Sequence, residues 1–303
     1  MGRPRSKEGQ LRAFYLELAR VWGAQQWWPA RSRFEMIVGA YLTQNTAWTN
    51  VERALANLRS AHRLSVAGIR RLPLAELERL IRPAGYFRQK AQRLKTFIAY
   101  LDTRYQGSFR RMFAQSTALL RQELLALHGV GPETADAILL YAGHHPVFVV
   151  DAYTRRILDR HDILPATADY EEIRELFESS LWSLVVGRWP APDQLRVARG
   201  EGREERRESR VASHEPGVAS GEWRETAGGG RGTGDGERLP GAAHLPSPMS
   251  TAKRTPLAQI YNEMHALLVG VGKNHCFKSK AHCEECPLQI FLEPASPQRT
   301  RRT

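Results

Sequence analysis

A chain of 303 residues is long enough for about two domains at the usual ~150 residues each, which rules out a peptide or a disulfide miniprotein. Its 42% hydrophobic and 25% charged content describe a globular protein, and it has no run of ~18 apolar residues of the kind that crosses a bilayer. Lys and Arg number 44 against 32 Asp and Glu, and the resulting net charge of +12 favours a polyanionic partner, nucleic acid first, although solubility or an Arg-rich genome would produce the same surplus.

The N-terminal MGRPRSKEGQ is basic but runs into the amphipathic stretch LRAFYLELARVW instead of an uninterrupted apolar segment, so a cytoplasmic location is expected. Leu11, Phe14, Tyr15, Leu18, Val21 and Trp22 recur at helical spacing. So do Phe34, Ile37, Val38, Tyr41 and Leu42, and then Val51, Leu55 and Leu58. Further stripes cover 74–81, 94–101 and 119–127, while strand-like alternation is confined to 147–150. The class is mostly α.

Residues 124–158 hold the most informative pattern, LLALHGVGPETADAILLYAGHHPVFVVDAYTRRIL. One helix ends near Leu127, the chain turns through Gly129, Val130 and Gly131, and a second helix starts with Pro132 in the first helical position, where its missing N–H costs nothing. This is a helix–hairpin–helix, spanning 121–142. Such a turn points backbone N–H groups and the positive end of a helix dipole at a phosphate, and so grips nucleic-acid backbone whatever its base sequence. Thr134 belongs to the same candidate surface.

From 187 to 256 the composition changes. Eleven of the 24 Gly fall in 200–241, and 199–238 carry eight Arg against nine Asp or Glu. A disordered, nearly neutral insert is expected there, a tethered binding arm or a gene-model artefact being the alternatives. A helix restarts at Leu257 and leads to Cys276, Cys283 and Cys286, the three cysteines of the chain. Their odd number and close spacing suit a metal site better than a disulfide framework.

Taken together, LxGVGxxTAxxIL in the hairpin, FVVDAYTRRIL after it, and the block FEMIVGAYLTQNTAWTNVERAL resemble the helix–hairpin–helix DNA glycosylases of the endonuclease III superfamily. WWPA, LTQNTAW and GPETADAILLYA look closest to the 3-methyladenine-type branch. The resemblance covers nearly all of 11–182 and 257–286. It implies a helical barrel over 31–150 and a second helical domain built from 1–30, 151–186 and 257–303, with the extruded base entering the cleft between them.

Asp151 matches the aspartate of the family. Cleaving a base–sugar bond develops positive charge on the sugar, which a fixed carboxylate stabilises, and the same group can orient the attacking water. By its residue type and position alone Asp151 is equally a helix N-cap. Gln44 matches the residue that enters the duplex as the base leaves it, with a helix-end cap as the structural alternative. Asn45, Arg88 and Lys90 are candidate DNA contacts. Trp27, Trp28, Tyr41, Trp48 and Glu133 are candidates for the base pocket, or for the core in the case of the aromatic residues.

Lyase members of the family carry a Schiff-base lysine in the hairpin. Glu133 stands in its place, and no lysine occurs between Lys95 and Lys253. The resemblance therefore implies hydrolytic removal of a damaged base, alkylated or mismatched, from double-stranded DNA without strand cleavage, leaving the abasic site to an AP endonuclease. A bifunctional glycosylase and AP lyase is one alternative, and a noncatalytic DNA-binding protein is the other. The protein is expected to act as a monomer and away from membranes. Cys276-x6-Cys283-x2-Cys286 matches three of the four ligands of the family's [4Fe–4S] loop, with Leu292 where the fourth cysteine would stand; zinc or no metal are the alternatives.

Overall fold

The computed structural model describes residues 6–186 and 246–292. It is mostly helical, and the described residues contain no sheet. The N-terminal helix α1 (Lys7–Trp22) buries Leu11, Phe14, Tyr15 and Leu18 as its spacing predicts, and packs on the later helices α11 (Tyr170–Val186) and α12 (Pro256–Asn274). After α1 the chain enters a second set of helices. These are α2 (Arg33–Thr43), α3 (Trp48–Ser60), α4 (Val66–Arg71), α5 (Leu74–Ile81), α6 (Phe87–Tyr105), α7 (Phe109–Met112), α8 (Thr117–Leu125) and α9 (Pro132–Ala137). α9 continues as a π-helical turn over Ile138–Gly143, and α10 (Ala152–Arg160) brings the chain back against α12.

The helix starts follow from local chemistry. Ser6, Ser32, Ser65, Ser108, Ser116, Asp151 and Thr255 each stand in extended backbone and accept the N–H three residues on, satisfying a donor the helix itself leaves orphaned. α2 is apolar nearly all round and is buried from Phe34 to Leu42. It forms the hub of its set, packing on α3, α6 and the π turn.

Two expectations need correction here. Residues 147–150 are buried but pair with no strand among the described residues, because their apolar side chains fill space between helices instead of forming a ladder. The expected insert 187–256 ends earlier than the composition suggested. Its described part, 246–256, is a packed turn: Ser247 Oγ donates to the Trp28 carbonyl at 3.4 Å, the Met249 N–H donates to the Ala30 carbonyl at 3.3 Å, and Arg254 Nη2 binds the Met249 carbonyl at 2.6 Å. Residues 187–245 lie outside the described part.

Candidate active site and nucleic-acid interface

The hairpin joins α8 to α9 through residues 126–131. Gly129 has φ 79°, a left-handed conformation that a side chain disfavours, and a Cβ there would meet Arg93 Nε at 2.0 Å. Gly131 is exposed, in extended backbone, and caps α9, whose first N–H groups have no carbonyl in their own helix. Val130 and Thr134 turn inward, contrary to expectation. Val130 is buried and its N–H donates to the Leu127 carbonyl at 3.0 Å, while the buried Thr134 hydroxyl accepts from Gln44 Nε2 at 2.9 Å.

Gln44 is the C-cap of α2 and binds the hairpin itself. Its amide nitrogen also donates to the Gly129 carbonyl at 3.0 Å, and its amide oxygen accepts from Arg93 Nη1 at 2.6 Å. The next residue, Asn45, is exposed with φ 51°. Two candidates that lie far apart in the sequence thus meet on one surface. Arg88 is exposed beside Phe87, in a ridge with Arg82 and the protruding Tyr86.

Lys90 is a correction. It is 1% exposed, and its ammonium donates to the Leu42 carbonyl at 2.9 Å, the Ala84 carbonyl at 2.8 Å and the Thr46 hydroxyl at 2.6 Å. All its protons are engaged, and burial, helped by Arg93, pulls it down to about 8. It ties α6 to the end of α2 and is buried away from the surface. Tyr41 is corrected in the same sense: at 1% exposure it packs on Phe97 in the core, and burial pushes its phenol well up.

Asp151 combines both of the roles weighed for it. As the N-cap of α10, its Oδ1 accepts from the Thr154 N–H at 2.7 Å and from the Thr154 hydroxyl at 2.9 Å. Its Oδ2 lies 3.6 Å from His265 Nε2, and 13% of the side chain remains exposed. Burial acts to raise this carboxyl, but His265 and the two Thr154 donors outweigh it, so the group sits below the ordinary carboxylate range and carries its charge.

Glu133 reaches solvent at the start of α9. Desolvation, with the Asp151 charge second, pushes it up to about 7, so the two carboxyl groups differ sharply in their readiness to ionise.

An aromatic wall stands beside these groups. The Trp28 ring lies 5.0 Å from Trp48, 5.1 Å from Trp27 and 5.3 Å from Tyr141. Trp27 and Trp28 are both largely buried, and Lys273 Nζ lies 5.8 Å from the centre of the Trp27 ring. Trp48 is half-buried and its indole N–H donates to Glu52 at 2.8 Å.

His265 was not singled out as a site residue by the sequence patterns, whereas Tyr141 stood out as a residue of the pocket or of the core. The available signal for His265 was a polar residue within the otherwise apolar buried run of α12.

The cysteine loop follows α12. Cys276 is buried; its carbonyl accepts from Arg156 at 2.7 Å and its Sγ from Arg160 at 3.1 Å. Burial pushes the Cys286 thiol up to about 11 and raises Cys283 as well. Among the described residues no three His, Cys, Asp or Glu side chains are grouped to hold a metal ion. With Leu292 in the fourth position, the donor set is one thiolate short of a cluster that takes four.

Comparison with known proteins sets this geometry in context. The family model of HhH-GPD superfamily base excision DNA repair proteins matches residues 38–182. The chain is 46% identical over 169 residues to the Methanocaldococcus jannaschii protein named "Putative DNA repair glycosylase MJ1434", covering 55% of this chain and 76% of that one. It is 27% identical over 157 residues to endonuclease III of Thermotoga maritima, covering 51% and 70%. Among solved structures, H. pylori 3-methyladenine DNA glycosylase (MagIII) bound to 1,N6-ethenoadenine aligns with a TM-score of 0.57 at 25% identity, over 88% of this chain and 97% of that one. A trapped endonuclease III–DNA covalent intermediate shares the fold, with a TM-score of 0.59 at 18% identity over 94% of each chain.

Proposed function

The chain belongs to the HhH-GPD superfamily of base excision DNA repair proteins, and on that premise we propose that it hydrolyses the N-glycosidic bond of an alkylated base in double-stranded DNA and leaves the strand intact. The observation that carries this reading is Asp151. It is an ionised carboxylate fixed from two sides, still open to solvent, and electrostatically coupled to the hairpin helix through Glu133. A negative charge so placed stabilises an oxocarbenium-like sugar more than it does the neutral substrate, which is what lowers the barrier. A base turned out of the duplex meets the half-buried Trp48, the accessible edge of a wall whose Trp28 and Tyr141 rings are packed behind it. The H. pylori structure, with its ethenoadenine ligand, supports an alkylated purine as the substrate class.

Hydrolysis without lyase activity rests on the hairpin and α6 amines, while the Lys273 amine of α12 is engaged over the Trp27 ring. Glu133 occupies the lysine position of the hairpin, Lys90 has its protons engaged, and Lys95 donates to the carbonyls of Ile69, Arg70 and Leu72. The abasic product then requires a separate AP endonuclease.

Duplexes carrying single 3-methyladenine or 1,N6-ethenoadenine lesions should release free base with the strand uncut, and Asp151→Asn should slow release by about 100-fold or more, the usual cost of losing a charge-stabilising group. Undiminished release by Asp151→Asn, or a covalent DNA adduct trapped by borohydride, defeats the reading.

A further inference from the structure

α12 carries a polar group into the deepest part of the molecule beside Asp151. His265 is 4% exposed, and its Nδ1 lies 2.5 Å from the Tyr141 hydroxyl. Its Nε2 faces Asp151 Oδ2 at 3.6 Å and has no hydrogen-bond partner of its own. That distance is within charge–charge reach but just outside the N–H···O range of about 2.7–3.2 Å.

The direction of the protons can be deduced. Tyr141 is 1% exposed, and burial keeps its phenol protonated. With a carboxylate facing Nε2, the proton of the ring belongs on that nitrogen, so the phenol proton points at His265 Nδ1. A neutral imidazole that accepts at Nδ1 must carry its proton on Nε2. The opposite tautomer would set a lone pair against a carboxylate.

From this chain of contacts we infer that His265 is the positioning residue of Asp151: Tyr141 fixes its Nε2–H tautomer, and that N–H, 3.6 Å from Oδ2, restrains this oxygen electrostatically while Thr154 holds Oδ1 by hydrogen bonds. The inference rests on the glycosylase reading for its kinetic consequence, although not for its chemistry. It also explains why polar residues interrupt a buried apolar helix. A carboxylate held only through Oδ1 would swing about its Cβ–Cγ bond; one held through both oxygens presents a fixed edge to the cleft. Besides His265, the titratable groups that face Asp151 are Glu133 on α9, Tyr141 on the π turn and Tyr153 on α10, with Arg155 acting on Glu133.

The test reads the ring nitrogens of His265 by 15N NMR in the full-length, DNA-free protein, alongside single-turnover base release from a 1,N6-ethenoadenine duplex. The expected result is an Nε2-protonated ring in the wild type that loses this preference in Tyr141→Phe. His265→Leu should release base on the order of tenfold more slowly, the scale of losing an orienting partner, with duplex affinity unchanged. His265→Gln, whose amide still donates, should recover most of the rate. An Nδ1-protonated ring, or equal rates in the wild type and His265→Leu, overturns the positioning role even where base is released. A wild type that releases no base while its ring behaves as expected defeats the glycosylase reading alone.

Discussion

Asp151 and Glu133 are electrostatically coupled and are driven in opposite directions. Asp151 is surrounded by donors and stays charged, whereas Glu133 faces its charge and is pushed up to about 7. For Glu133 the folded-state value lies above the ordinary 4.5, so the fold favours the protonated form, and stability is lost as pH rises between those two values. The thermal midpoint of Glu133→Gln should therefore equal that of the wild type at about pH 4 and exceed it at about pH 8, with the gap opening on the way. Calorimetry across that range checks the sign, and a gap that closes with rising pH refutes it. At this scale the sequence was only partly legible. Asp151 stood out because residue type, position before a helix and family pattern agreed. Lys90 did not, because a lysine beside Arg88 and Gln89 in the first turn of a helix looks like a surface cation until three acceptors surround it. His265 was invisible for the reverse reason: its meaning lies in Tyr141, 124 positions away.

Among the elements, the crossing of α10 and α12 positions the site. A Cβ built on Gly272 would lie 2.1 Å from the Tyr153 ring, and Arg156 reaches across to the Gly272 carbonyl. The helices approach this closely because position 272 has no side chain. Gly272→Ala should cost about 1–3 kcal/mol by forcing the ring aside, measurable by urea unfolding; an unchanged midpoint would mean that the ring has room to move. Because α10 starts at Asp151, the same change should lower base release beyond the loss in stability. Helix periods and serine caps made most of these elements legible in the sequence. The close approach was not, since a glycine inside a helix pattern does not say what crosses it. Nor was the docked turn at 246–255, where Arg254 gathers main-chain carbonyls and no periodicity marks the contact.

For the molecule as a whole, the charge surplus read from composition favours a polyanionic partner, and Gly131 of the hairpin, Asn45 and the Arg82 and Arg88 ridge are exposed. Binding to undamaged duplex should fall steeply with salt, and Arg88→Ala should lower the magnitude of the log–log slope by about 1, as expected when one phosphate contact is removed. A slope unchanged by that variant would place the backbone contacts elsewhere. The mostly helical class was foreseeable from the helical periods of the chain. Which side chains meet beside Asp151 was not.

The Gln44 amide, held at one end by Arg93 and at the other by Gly129 and Thr134, has a consequence for how a duplex would be engaged. Under the proposed function, a Gln44 that enters the stack of bases first has to let go of Gly129 and Thr134 in the hairpin. Anchoring and probing are therefore exclusive uses of one amide, and an undamaged helix that offers it nothing better leaves the latch shut.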